Sequence, residues 1–180
     1  MPATTTPATA APAATAPATA GEKLPQTAKA GLGSQEILTF TIGNEYYGLD
    51  LLTVREIRAW TEVTPLPNTP PFVRGVINLR GAVVPIFDLR VRLGAGAAEP
   101  TSANVVIVVE IGEQFCGLLV DTVSDILALA DDALQPVPAT ATDADHNFLS
   151  ALATHEDRMV ALIDVARLFN RGVPTVSEAA

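Results

Sequence analysis

The 180-residue chain is poor in cysteine, aromatic residues and positive charge. A single cysteine cannot form an internal disulfide, and an unpaired thiol favours a reducing compartment. Gly, Pro or a charge interrupts every apolar run before it reaches the roughly 18 residues of a membrane-spanning helix. Lysine and arginine number 11 against 20 acidic residues, a formal net charge of −9. We expect a soluble, cytoplasmic protein without direct membrane insertion, and the negative charge argues against a nucleic acid partner.

Residues 1–34 contain no aromatic and no β-branched aliphatic residue and consist largely of Ala, Pro and Thr. Such a segment cannot bury enough apolar surface to fold, so a disordered, partly polyproline-like tail is predicted. It has neither the basic start nor the apolar segment of a secretory signal. A glycosylated stalk is the alternative for this composition, but the lone cysteine favours an intracellular tail. Residues 35–172 are predicted to form the folded domain, with a charge of about −10, and residues 173–180 a flexible C-terminus.

The folded part consists of short β-branched and aromatic runs separated by Gly and Pro. Glu36–Gly43 alternates apolar with polar or small residues, and Asn104–Gly112 is almost continuously apolar. Both patterns predict β-strands, alternation for a half-buried strand and a continuous run for a buried one. Many short strands of this kind are typical of a small barrel or sandwich.

The folded part also contains an internal repeat. Ile-Gly, Gly-Leu and Thr-Val recur in the first pair of segments, and an aromatic and an acidic residue also align there. The step between copies is 69 residues for the first pair and 76 for the other two, which indicates one insertion of about seven residues. The pattern predicts two similar β subdomains, encoded by residues 36–94 and 104–170. The paired segments are Ile42–Ile57 with Ile111–Ile126, Phe72–Ile77 with Phe148–Ala153, and Val83–Leu93 with Met159–Phe169.

Each half ends in an apolar strand, an aspartate and a short amphipathic segment. Asp88 and Asp164 occupy the position where a carboxylate accepts hydrogen bonds from the free amides at the start of a helix. We therefore interpret these two aspartates as helix caps and not as catalytic groups.

No set of reactive groups suggests an enzyme. His146 and His155 lie in polar segments, and Cys116 lies in an apolar strand with no histidine placed to activate it, so a buried structural thiol is expected. The chain has no phosphate-binding loop, dinucleotide fingerprint or nucleophile elbow. We predict no catalytic residue, no metal site and no cofactor.

The stretch "NTPPFVRGVINLRGAVVPIFDL" places Arg74 and Arg80 in an otherwise apolar run. The second half has Ser150 in place of Arg74, so the repeat omits this charge. A charge that one half omits is less expected to hold the fold together, which makes Arg74, Arg80 and Glu56 candidates for partner recognition. The alternative is that Arg80 and Glu56 form an ordinary surface ion pair next to a turn that uses Gly81 for a positive φ angle.

Four segments together resemble the CheW family of bacterial chemotaxis coupling proteins. They are "ILTFTIGNEYYGLDLLTVREI", "PLPNTPPFVRGVINLRGAVVPIFDLRVRLG", "VVIVVEIGEQFCGLLVDTVSDIL" and "RMVALIDVARLF". The resemblance implies a mainly β fold of two intertwined, five-stranded SH3-like barrels with short helices. It also implies a non-catalytic adaptor that couples chemoreceptors to the regulatory domain of a CheA-type histidine kinase, in the cytoplasm and recruited to membrane receptor arrays. The additional domains of the CheA and CheV relatives are not expected here.

The resemblance also implies two sets of contact residues. A kinase contact is expected at Leu51 and Leu52, and a receptor helix is expected to need an apolar groove between the subdomains with charges at its rim. The expected receptor-binding residues are Val54, Glu56, Arg74, Gly75, Asn78, Arg80 and Gly81.

Two other function classes were weighed against the adaptor. A small barrel that binds a ligand or an oligonucleotide needs a basic, aromatic-rich face, whereas aromatics make up only 5% of this chain. An enzyme needs a cluster of titratable groups, which the sequence does not assemble.

Overall fold

A computed structural model describes residues 34–138 and 148–169 of the chain. Residues 1–33, His146 and the predicted C-terminal segment 173–180 lie outside the described residues. Two single 3₁₀ turns follow β2 and β8, at Leu51–Thr53 and Asp131–Ala133. The strands are β1 Ser34–Ile42, β2 Glu45–Asp50, β3 Val54–Ala59, β4 Val73–Leu79, β5 Ala82–Asp88, β6 Val105–Ile111, β7 Gln114–Val120, β8 Thr122–Ala130, β9 Leu134–Gln135, β10 Leu149–His155 and β11 Arg158–Ile163; the helices are α1 Leu89–Arg92 and α2 Val165–Phe169.

The strands form two sheets. Sheet A has the order β8-β1-β2-β11-β10-β9, and sheet B has the order β3-β6-β7-β5-β4. The predicted mainly β fold is confirmed, and the two sheets are consistent with the two SH3-like barrels implied by the resemblance. Sheet A gains one strand over the expected five because the two residues of β9 pair with β10.

The two halves of the sequence exchange strands. Sheet A takes β1 and β2 from the first half and β8 to β11 from the second, while sheet B takes β3 to β5 from the first half and β6 and β7 from the second. In each sheet one parallel pair joins strands of the two halves, β2 with β11 in sheet A and β5 with β7 in sheet B. The repeating units of the sequence are therefore not the units that pack together in space.

Each sheet curls around its own small core, and a larger core lies between the sheets. Leu129 of β8 and Ala153 of β10 share one cluster although their strands are far apart in the order of sheet A, so the sheet closes on itself. Val84, Val106 and Leu119 belong to the equivalent cluster inside sheet B. The third cluster combines buried residues of both sheets and both helices, and it holds the two barrels together.

Glycine is required at both parallel joints. Gly48 faces Leu162 in one joint, and Gly117 faces Ile86 in the other. A Cβ on Gly48 would lie 2.5 Å from Ile37 Cγ2, and a Cβ on Gly117 would also lie closer than 3.0 Å to a neighbouring side chain. The repeated Gly-Leu of the sequence thus marks the two places where the halves are joined most tightly.

The predicted helix caps are confirmed. Asp88 Oδ1 accepts a hydrogen bond from Val91 N at 3.2 Å, and Asp164 Oδ1 accepts one from Arg167 N at 3.1 Å. Both helices are short, and none in residues 34–138 and 148–169 has the length and apolarity to cross a bilayer.

Candidate functional site

The hairpin between β4 and β5 presents Arg80 to solvent. Arg80 and Gly81 are the two turn residues, with φ angles of 54° and 89°, as a type I′ turn requires. Asn78 Oδ1 accepts a hydrogen bond from Gly81 N at 2.9 Å. Asn78 and Gly81, both predicted as contact residues, therefore shape the turn that holds Arg80 outward.

Arg80 pairs with Glu56 across a gap between two edge strands. Arg80 Nη2 lies 3.3 Å from Glu56 Oε2, and the Arg80 side chain is 84% exposed. Glu56 lies on β3 and Arg80 lies in the turn after β4, and these two strands form the opposite edges of sheet B. The two residues meet because the sheet curls. We call this place the first seam. Both elements of the alternative interpretation, the ion pair and the positive-φ turn, are therefore present, and the role of Arg80 in recognition stays a prediction.

Arg74, in contrast, is held inside the domain. Its Nε and Nη2 donate to Asp88 Oδ2 at 2.8 and 2.7 Å, and Nη2 also donates to Ala98 O at 2.6 Å. The Asp88 side chain is only 2% exposed, so the guanidinium supplies the countercharge that a buried carboxylate needs. In the second half Asp164 obtains its arginine from within α2, where Arg167 Nε lies 3.2 Å away. The fold therefore keeps the ion pair and only changes the source of the arginine.

Gly75 is required by the backbone around it. Its φ angle is 146°, the β4–β5 register shifts at this point, and a Cβ would collide with Thr64 O. The close approach lets Thr64 and Val76 exchange two backbone hydrogen bonds of 2.9 Å, which closes sheet B. A contact of Gly75 with a partner stays a prediction.

The predicted kinase residues Leu51 and Leu52 differ in environment. Both lie in the 3₁₀ turn that Asp50 caps through Leu52 N at 2.9 Å. Leu51 packs against the central core, as does the predicted receptor residue Val54, whereas the Leu52 side chain is 81% exposed. Of these three apolar residues, Leu52 is the one that is largely exposed, and its contact with a kinase stays a prediction.

A groove opens between the two sheets beside this turn. It has a volume of about 380 Å³ and takes its walls from both sheets and α2, with Ile37, Ile163 and Leu162 among its apolar residues. Asp50 and Glu110 lie on its rim, and Glu110 pairs with Arg55 of β3. This intersheet groove combines apolar and charged lining residues, and its use by a helix of a partner stays a prediction. No single segment of the sequence could indicate it, because its walls come from both halves.

Among the reactive groups of the described residues, Cys116 and Tyr47 are buried and His155 lies at the surface. Burial raises the pKa of the Cys116 thiol to about 12, so the nucleophilic thiolate is absent at neutral pH. Burial and a hydrogen bond to Glu45 raise the pKa of the Tyr47 phenol. His155 lies 4.0 Å from Glu156 at the surface. Within residues 34–138 and 148–169, no three His, Cys, Asp or Glu residues are grouped so that they could hold a metal ion.

The fold and these surfaces define a class of protein. It is a double β-barrel with an intersheet groove and a solvent-exposed hairpin turn that carries Arg80.

Comparisons with known proteins name the family. The family model described as the CheW-like domain matches residues 36–173. The chain is 43% identical over 148 residues to a probable chemotaxis protein CheW of Rhizobium etli, covering 82% of this chain and 94% of that one. It is 44% identical over 137 residues to the chemotaxis protein CheW of Rhizobium meliloti, covering 76% and 88%. The crystal structure of the scaffolding protein TtCheW from Thermoanaerobacter tengcongensis superposes with a TM-score of 0.71 at 34% identity, covering 76% of this chain and 92% of that one. The chain belongs to the CheW family.

Proposed function

We propose that this protein is a chemotaxis adaptor that couples chemoreceptors to a CheA-type histidine kinase in the cytoplasm, at membrane receptor arrays. The observation that carries the proposal is the match to CheW proteins over nearly the whole double barrel. The relatives are named as chemotaxis proteins, and one solved relative is named as a scaffolding protein. The adaptor itself performs no chemistry in this role.

We assign the two partners to different surfaces. A receptor helix fits the intersheet groove, since the apolar walls can cover one face of a helix and the charged rim can fix its register. The first seam lies on the adjoining edge strand β3, where the fork of Arg80 can reach a carboxylate of the partner. Leu52 is assigned to the kinase contact because it is the fully exposed apolar residue of the Leu51–Thr53 turn.

The assay reconstitutes the complex from receptor-containing membranes, the kinase and the full-length protein. Sedimentation measures recruitment of the adaptor, and phosphate incorporation measures control of the kinase. Arg80→Glu should reduce kinase control while leaving the fold intact, because the side chain is almost wholly exposed. Glu99→Lys, a charge change at an exposed position on another surface, serves as the matched control and should leave receptor-dependent control intact.

A charge exchange separates pairing from recognition. The double variant Arg80→Glu with Glu56→Arg restores the ion pair in reverse. If it also restores kinase control, the pair only supports the fold and Arg80 is not a receptor contact. If the wild-type protein fails to bring kinase to the membranes, the adaptor proposal itself is wrong.

For the kinase contact, Leu52→Asp should reduce kinase capture in a pull-down and leave receptor binding unchanged. Unchanged kinase capture with weaker receptor binding would assign Leu52 to the receptor contact instead. Its neighbours Asp50 and Thr53 line the intersheet groove.

A further inference from the structure

The second half contains a seam equivalent to the first. We call the gap between β8 and the β10–β11 hairpin the second seam. Its turn residues Glu156 and Asp157 have φ angles of 47° and 62°, so this turn repeats the backbone of Arg80 and Gly81, 76 residues earlier. Asp125 of β8 corresponds to Glu56, 69 residues earlier. The same backbone scaffold is therefore built twice, once at each seam.

The charges of the two seams differ. Where the first seam has an arginine and a glutamate, the second has Glu156 and Asp125 at the corresponding positions, two groups of the same sign. Both line the gap, together with His155 and Arg158. The Asp125 carboxylate makes no hydrogen bond or ion pair with the rest of the described chain, and Glu156 has only His155 at 4.0 Å. Nothing in the described residues thus bridges the second seam as Arg80 bridges the first.

The arginine that lines the second seam is held against an aromatic ring. The Arg158 guanidinium lies 5.0 Å from the centre of the Tyr46 ring, and it forms no ion pair with Asp125 or Glu156. The stacked pair forms one wall of the seam, which the two carboxylates also line.

The second seam is a groove with an apolar side. It has a volume of about 340 Å³, and Leu127, Val160 and Tyr46 line it together with Asp125 and Glu156. Ile126, next to Asp125, is 49% exposed, and its repeat equivalent Ile57 is 45% exposed. Thr39 fixes the backbone of Asp125, since its hydroxyl donates to Asp125 O at 2.8 Å and accepts from Asp125 N at 3.0 Å. The carboxylate and the isoleucine are therefore presented on a fixed piece of backbone.

We propose that the second seam is a docking site for a partner protein that inserts one arginine between Asp125 and Glu156 and places an apolar side chain on Ile126. Charge complementarity selects the arginine, since its planar fork can bond two carboxylates at once. The first seam shows the same scaffold holding an arginine beside a carboxylate, there supplied by the chain itself. This docking site does not depend on the proposed adaptor role, because its charges and shape belong to the isolated domain.

The test uses the full-length, ¹⁵N-labelled protein and a blocked peptide Ala-Leu-Arg-Leu-Ala. A matched peptide carries citrulline, a neutral isostere, in place of arginine. The arginine peptide should shift the amide resonances of Asp125, Ile126 and Glu156 with a dissociation constant in the millimolar range, and the citrulline peptide should not. Binding should weaken when sodium chloride is raised, because exposed charges are screened.

Three variants assign the binding to the seam. Asp125→Asn should raise the dissociation constant of the arginine peptide about tenfold, the effect of losing one charge-assisted hydrogen bond. Glu99→Gln, a change at an exposed position on another surface, should leave the dissociation constant unchanged. Glu156→Arg should abolish binding, because it places an arginine opposite Asp125 and closes the second seam as the first is closed.

Four results would overturn the proposal. Equal binding of the citrulline peptide would make the contact merely apolar, and peptide binding that survives Glu156→Arg would place it elsewhere. Magnesium chloride alone producing the same shifts would make the seam a cation site. Shifts at Asp125 on neutralising Lys23 and Lys29, without any peptide, would identify the occupant as the protein's own N-terminal segment.

Discussion

Replacing Arg80 with asparagine should make the protein more stable although it removes an ion pair. Arg80 adopts a φ angle of 54°, in the left-handed region that costs most side chains roughly 1–2 kcal/mol. Asparagine tolerates this region, and Asn-Gly is the preferred pair for a two-residue hairpin turn. Relief of the backbone should therefore contribute about 1 kcal/mol to the free energy of unfolding.

The lost ion pair offsets only part of this gain. Arg80 is 84% exposed and lies 3.3 Å from Glu56, a geometry for which surface pairs contribute about 0.5 kcal/mol. Arg80→Asn should thus increase the free energy of unfolding by about 0.5 kcal/mol. Kinase control should fall at the same time, since the proposed contact is removed. A stability gain with a loss of function is the pattern expected where strain is retained for binding.

Urea unfolding followed by circular dichroism measures the change, and Glu56→Gln isolates the ion pair. The double variant Arg80→Asn with Glu56→Gln should be as stable as Arg80→Asn alone, because the pair is already lost. A loss of more than about 1 kcal/mol in Arg80→Asn would refute the reasoning, since a surface pair cannot account for it. Unchanged kinase control would refute the functional half.

Three further outcomes follow from buried groups. Gly117→Ala should destabilise the protein by about 1–3 kcal/mol in urea unfolding, because its Cβ would collide with Ile86 at the parallel joint. Asp88→Ala should lower the free energy of unfolding by about 3–5 kcal/mol, because it removes the cap of α1 and the carboxylate that pairs with the largely buried Arg74. Ala98→Gly is the control and should lower it far less, because it keeps the backbone carbonyl to which Arg74 also donates. Cys116 should react with a thiol reagent at pH 8 only on unfolding, because its pKa of about 12 keeps it protonated in the fold; reaction at the rate of a free thiol in the native state would contradict this.

The repeat made much of the fold predictable. The 69-residue step aligned β2 and β3 with β7 and β8, and the 76-residue step aligned β4 and β5 with β10 and β11. The exchange of strands between the sheets could not be read from this alignment. Similarity between two halves indicates that each has the same strands, but not whether a strand pairs within its own half or with the other.

Arg74 has a structural role that the sequence comparison did not indicate. Its omission from the second half suggested a role outside the fold, yet the structure buries it against Asp88. The register of the β4–β5 hairpin pairs Val73 with Phe87, so Arg74 lies diagonally across from Asp88, within reach of a long side chain. The second half hides this relation because Arg167 performs the same task from another position. The absence of a residue from one half of a repeat therefore excludes a structural role for its counterpart only when the residue that it pairs with is absent from that half as well.

The strand exchange has a consequence for folding. Neither barrel can form from one half of the chain, because each sheet needs strands of both halves, and the central core also joins the two sheets.

Leu129→Ala, in the core of sheet A, should lower the free energy of unfolding by about 2–5 kcal/mol. The single tryptophan, Trp60, packs against the core of sheet B. If the barrels unfold together, the variant shifts the urea midpoint of Trp60 fluorescence and of circular dichroism equally. Val108→Ala, inside sheet B, is the control that must move the fluorescence midpoint in either case. A fluorescence midpoint that stays in place for Leu129→Ala while circular dichroism shows an earlier phase would mean that the barrels unfold independently. The exchange would then connect the barrels without making them one cooperative unit.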